Sequence, residues 1–209
     1  MSSSPVLSDS SALSRFDRAY FKIESAMNLA AGITIFALVV LAVVHVISRK
    51  LLNAPVPGYV DWTQQFMAIF AFLGLSYCQR EGGHIRMDIV IGQLHRRPLW
   101  IAEFLSILFM LFVVTALVYG TYFHFERSFD FARPRWSSDS SIDIGLPLWP
   151  AKLVVTVSMA VLWGRLVLQL WGFGRAYRRN EEKPVAVPLV MDATEQAMAE
   201  AEAMDGADG

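Results

Sequence analysis

Hydrophobic residues in this chain fall into four long blocks separated by shorter polar stretches, at about 26–48, 60–79, 99–123 and 148–171. Each block is about 20 residues or slightly more, the length at which a helix spans the hydrocarbon core of a bilayer. Lipid offers no hydrogen-bond partner to a backbone, so each block predicts a membrane-spanning helix. The pattern predicts an all-α membrane protein with four transmembrane helices over 26–171. A segment over 1–25 precedes them and a tail over 172–209 follows.

Two polar stretches carry a helical period of their own. Leu13, Phe16, Tyr20, Ile23 and Met27 recur three or four residues apart, with Arg15, Arg18 and Lys22 between them. That suits either an amphipathic helix lying on the inner membrane surface or a plain extension of the first span. After the second block, Met87, Val90, Ile91 and Leu94 share one face of a short interfacial helix. Gly82 and Gly83 precede it, as a tight turn or a flexible break. The polar groups that follow, His84, Arg86 and Asp88, suit bonds to that turn or to lipid phosphate and not catalysis. The first block follows a polar lead and exceeds the apolar core of a secretory signal, so it is expected to remain as an anchor.

Composition sharpens this picture. The chain of 209 residues is 55% hydrophobic and 18% charged, with mean hydropathy +0.41. The net charge of −1 gives no electrostatic basis for binding nucleic acid. Cys78 is the single cysteine, so an internal disulfide is excluded. Lys and Arg are unevenly spread. Arg15, Arg18, Lys22, Arg80, Arg86, Arg96, Arg97, Arg175, Arg178, Arg179 and Lys183 fall on one side of the predicted spans. Only Arg49, Lys50, Arg127, Arg133 and Arg135 fall on the other. The positive-inside rule then puts both termini in the cytoplasm. Beyond residue 180, acidic residues, alanines, Pro184 and Pro188 predict a disordered tail.

Polar residues inside apolar blocks are costly and therefore informative. Glu103 and Arg165 fall at similar predicted depth, either paired or each snorkelling separately to the interface. Arg49 and Asp61 flank the Asn53-Ala54-Pro55-Val56-Pro57-Gly58 turn and are candidates for an ion pair bracing a hairpin. Lys152 is expected to snorkel outward. His45 and His124 fall near the outer ends of the first and third blocks. Paired across helices they would suit a haem iron, as in a cytochrome-b-like anchor of a redox complex, whereas interfacial histidines bonded to backbone or water are the ordinary alternative. No nucleophile elbow, phosphate loop, HExxH or paired-cysteine metal motif occurs, so neither a catalytic nor a metal site is expected. The long loop over 125–147 mixes Arg133, Pro134, Arg135 and Trp136 with serines. It suits a surface for a soluble partner or a simple connector.

The ordered series Ser48-Arg49-Lys50-Leu51-Leu52-Asn53-Ala54-Pro55, then Asp61, then Phe72-Leu73-Gly74, then Gly82-Gly83-His84-Ile85-Arg86-Met87-Asp88 resembles a known family. It is similar to the small membrane subunit, of DctQ type, of tripartite ATP-independent periplasmic (TRAP) transporters, over about 26–171. The family often carries two adjacent acidic residues and a nearby Arg where this chain has Val60, Asp61 and Gln64. The resemblance implies a non-catalytic scaffold in a bacterial inner membrane, without cofactor and without ATP. It would brace a large sodium-coupled permease subunit, of DctM type, whose transport domain moves as an elevator. A periplasmic binding protein would deliver the solute, commonly an organic acid. Arg49, Asn53, Asp61, Gly74, Gly82, Gly83, His84, Arg86, Asp88, Glu103 and Arg165 are the residues expected to serve structure and assembly.

Overall fold

The computed structural model describes residues 12–81 and 97–179, which form helices joined by two ordered loops. Helix α1, Ala12–Leu51, is a single uninterrupted helix of 40 residues. At 1.5 Å per residue it is about 60 Å long, roughly twice the hydrocarbon thickness of a bilayer. The described part of the segment before the first apolar block, from Ala12 on, is thus continuous with the span. Its expected apolar stripe is also divided: Leu13 is buried, while Phe16 and Ile23 face outward.

The second apolar block folds as two helices, α2 at Tyr59–Leu73 and α3 at Leu75–Arg80. Gly74 separates them, and its backbone stays in the right-handed region at φ −82° and ψ −13°. Glycine is a weak helix former, so the ladder interrupts there without reversing. Cys78 N–H still donates to the Gly74 carbonyl at 2.9 Å. Helices α4, Arg97–Ser128, and α5, Trp149–Arg179, complete the bundle.

Among the described residues three helical stretches are long and apolar enough to cross a membrane: Leu13–Leu51, Phe104–Ser128 and Trp149–Arg175. Neither α2 nor α3 reaches that length alone. The core lies between α4 and α5, where Ile107 and Val114 meet Met159, Leu162, Leu166 and Phe173. Steps of three, four and seven along each helix keep one seam facing its partner. Phe72 and Leu75 cover this seam from α2 and α3. Helix α1 packs on α2, α3 and α5, and much of its apolar surface, including Leu29, Ile33, Phe36 and Val39, faces outward.

Two tight features close the end of the bundle that carries the α1–α2 turn. Asn53 takes a left-handed conformation at φ 49° in the α1–α2 turn, which asparagine tolerates better than bulkier residues. Gly58 sits at φ +64°, and a Cβ there would lie 2.5 Å from Ile144 Cδ1. Glycine therefore lets the 129–148 loop fold down onto the start of α2. A short 3₁₀ turn at Pro134–Trp136 and isolated bridges between Phe129 and Ser137 and between Ser140 and Pro147 shape that loop.

Candidate functional site

Helix α1 presents carboxylates at Asp17 and Glu24, seven residues apart and so on one face. Both are buried. Arg165, fully buried on α5, spans them. Its Nε donates to Glu24 Oε1 at 2.7 Å, its Nη1 to Asp17 Oδ1 at 2.5 Å, and its Nη2 to Glu24 Oε2. From α3, Ser76 Oγ donates to Glu24 Oε1 at 2.5 Å, and Arg80 Nη2 donates to Asp17 Oδ2 at 3.1 Å. The Arg80 guanidinium also lies over the Phe21 ring, 4.0 Å from its centroid. One turn beyond Arg165, Gln169 accepts from Gln79 Nε2 at 2.8 Å and donates to the Gln79 carbonyl at 3.2 Å.

Two guanidinium groups thus face two carboxylates inside a helical bundle, and their charges cancel. Bidentate Arg–carboxylate bonds are among the strongest available to side chains. Burying such ions nonetheless carries a desolvation cost that the pairing must offset, so the network's main effect is to specify which helix faces meet. It joins α1, α3 and α5 at one height. Tyr20 tightens the same contact by donating to the Val161 carbonyl at 2.7 Å. Its hydroxyl passes so close to Gly164 that a Cβ there would overlap it.

A second polar cluster lies roughly 20 Å away along α5, on the rise per residue between Lys152 and Arg165. Asp139 Oδ2 accepts from Lys152 Nζ at 2.6 Å and from Ser128 Oγ at 2.5 Å, and Lys152 also donates to Ser128 Oγ. The bond from Lys152, followed by that from Ser128, holds the Asp139 carboxyl below its ordinary range. Asp61, buried at the start of α2, accepts from Ser141 Oγ at 2.5 Å and from the Ile144 backbone N–H at 3.1 Å. Gln65 donates to the Pro147 carbonyl at 2.7 Å. Phe129, Phe131, Trp136 and Trp149 stack edge-on or tilted above this cluster.

These contacts redraw several sequence expectations. Arg165 does enter a buried ion pair, but the carboxylates described around it belong to Asp17 and Glu24. The Glu103 side chain lies outside the described residues. Asp61 braces the 129–148 loop instead of pairing with Arg49, because Ser141 and Ile144 occupy its carboxylate while Arg49 is exposed. Lys152, expected to snorkel, pairs with Asp139. Gly74 marks the α2–α3 break, where a Cβ would meet only Asn28 Oδ1 at 3.7 Å. Gly82, Gly83, His84, Arg86 and Asp88, the interfacial helix after them and the acidic tail all lie outside the described residues.

The histidine pair does not form a haem site. His45 stacks on Tyr59 at 4.0 Å between centroids, whereas His124 is exposed on α4, which packs chiefly on α5. Among the described residues no group of three or more His, Cys, Asp or Glu side chains is placed to hold a metal. Sequence reasoning missed Asp17, Glu24 and Arg80. The seven-residue spacing of the two carboxylates was a usable signal, since two turns of helix return both to one face.

Long apolar helices, an internal ion-pair brace and an ordered loop between α4 and α5 define a multi-pass helical membrane protein. The family model of the DctQ component of tripartite ATP-independent periplasmic transporters matches residues 38–175. The chain belongs to this family, which makes it a TRAP transporter component. The match begins after Asp17 and Glu24 and includes Arg80 and Arg165. No curated protein matches the chain.

Proposed function

We propose that the chain is the small, non-catalytic membrane subunit of a TRAP-type secondary transporter. It acts as a scaffold for a large sodium-coupled permease subunit. That assembly takes up organic acids handed over by a periplasmic binding protein, in a bacterial inner membrane. The observation that carries this reading is the Asp17–Arg165–Glu24–Arg80 network. It ties three helices into one body while apolar surface on α1 and α4 stays exposed for a membrane neighbour. A stationary brace needs such a fixed interior.

In this reading α2 and α3 together make the remaining one of four spans, over Tyr59–Arg80, and both termini face the cytoplasm. The segment 1–25 and the tail 172–209 flank the 26–171 scaffold. Asp17, Glu24 and Arg165 are each paired inside the bundle, which suits an internal clamp and not a path for solute or ions.

Co-expression with the genes beside it tests the reading. The chain should co-purify with a large multi-span protein, and vesicles should take up solute only when both chains and the binding protein are present. Solute flux through vesicles that hold this chain alone would refute it.

A further inference from the structure

The first turns of α1 carry charge on two opposite faces. Leu13, Asp17 and Glu24 are buried against the other helices. Arg15, Arg18, Ala19 and Lys22 are exposed, as are Phe16 at 61% and Ile23 at 50%. Successive residues turn about 100° around a helix, so Arg15 and Lys22, two turns apart, point directly away from Asp17 and Glu24. Arg18 lies on one flank of this outward stripe, and Phe16 and Ile23 lie on the other.

This geometry leaves three cations without an internal partner. Asp17 and Glu24, the only acids on the described part of this stretch, are bonded to Arg80 and Arg165 on the far side of the helix. Among the described residues no carboxylate pairs with Arg15, Arg18 or Lys22; the ion pairs formed there belong to Arg80, Arg133, Lys152 and Arg165. The same buried bonds fix the rotation of α1, so the stripe cannot roll inward to find an acid. The neighbouring surface says which anion suits it. Beyond Ile23 the helix turns Leu29, Ile33 and Phe36 outward, within a stretch long and apolar enough to cross a membrane. The cations therefore cover about 10 Å of helix just before the lipid-facing part begins. A soluble anion would engage the cations and leave Phe16 and Ile23 in water. A phospholipid offers phosphate to the first and acyl carbon to the second.

We infer that the outward face of Arg15, Arg18 and Lys22 is a binding site for anionic phospholipid headgroups, with Phe16 and Ile23 against the upper acyl carbons. Guanidinium forks match a phosphodiester in geometry as well as charge. Each Lys or Arg held at an anionic surface strengthens association about fivefold. Bound lipid then fixes the height of α1 in the bilayer from outside, as the ion-pair clamp fixes its rotation from inside. The inference goes beyond the transporter-subunit reading and does not depend on it.

Quenching at the site itself provides the test. The full chain carries Cys78→Ser and Ala19→Cys, with a bimane on the new thiol, in neutral phosphatidylcholine bilayers. Brominated phosphatidylglycerol should quench the probe at about one tenth the mole fraction that brominated phosphatidylcholine requires, and raised salt should narrow the difference. Replacing all three cations by Arg15→Gln, Arg18→Gln and Lys22→Gln should abolish the preference, whereas Arg15→Lys with Arg18→Lys should retain most of it. Equal quenching by the two lipids in the parent chain overturns the inference. So does a preference that survives the triple glutamine change, which would place the anionic lipid elsewhere. Inorganic phosphate that displaces the brominated phosphatidylglycerol also overturns it, since that marks a site for a soluble anion.

Discussion

Replacing Arg165 with methionine should be far more damaging than its single position suggests. The side chain is fully buried and supplies both bidentate bonds to Glu24 and one of the two guanidinium bonds to Asp17. After substitution Glu24 keeps only Ser76, and the cluster holds a surplus negative charge with no access to water. Removing one partner of a buried pair costs about 3–5 kcal/mol. At about 1.4 kcal/mol per tenfold, that is a shift of more than a hundredfold in the folded population. The paired change Arg165→Met with Glu24→Leu removes charge from both sides and leaves Asp17 with Arg80. It should recover most of the loss, because the charges and not the packing volume are at issue. Reversible unfolding in mixed micelles, followed by tryptophan fluorescence, measures all three variants against the parent. A double-mutant cycle should return a coupling of at least about 1–3 kcal/mol. Additive single effects, within about 0.5 kcal/mol, would refute the account of the network.

Other consequences are simpler to read. Gly164→Ala should destabilise the α1–α5 contact by about 1–3 kcal/mol through overlap with the Tyr20 hydroxyl; the same unfolding assay should show partial recovery on adding Tyr20→Phe. Asp61→Ala leaves Ser141 and the Ile144 N–H without their acceptor, at about 1–3 kcal/mol, and faster hydrogen exchange across 139–146 would report it. Asp139 is held below its ordinary value, so its contribution is complete above the unfolded pKa and is lost as pH falls through the folded one. Proteolysis of the 129–148 loop should therefore rise on acidification below the ordinary carboxylate range, and Lys152→Met should weaken that dependence, with the Ser128 bond remaining. The visible spectrum of the purified protein should lack a Soret band, as the positions of His45 and His124 require.

The long helices were legible because apolar length alone decides them, and Arg165 stood out as a charge inside such a block. Its partners were hidden by the boundary drawn at residue 26. Asp17 and Glu24 lie on a stretch with enough basic residues to read as lying outside the membrane, and Arg80 sat where a loop was expected. Only the unbroken course of α1 carries those carboxylates to the depth of Arg165. Asp61 misled for a different reason. Sequence proximity across a turn favoured Arg49, whereas the contacts come from Ser141 and Ile144, some 80 residues later. Gly74 was noticed as a motif residue, but helix length could not foretell that it would divide the block in two.

The order of synthesis gives the charge network one more meaning. Glu24 leaves the ribosome 141 residues before Arg165, a delay of about 7–28 s at 5–20 residues per second. During that interval α1 holds two carboxylates that lipid will not accept unaccompanied, and Arg80 answers only one of them. The first helix should therefore reach its final seat only after the last helix has emerged. A chain truncated before α5, which leaves Glu24 without Arg165, should then be handed to membrane quality control however apolar its first helix is.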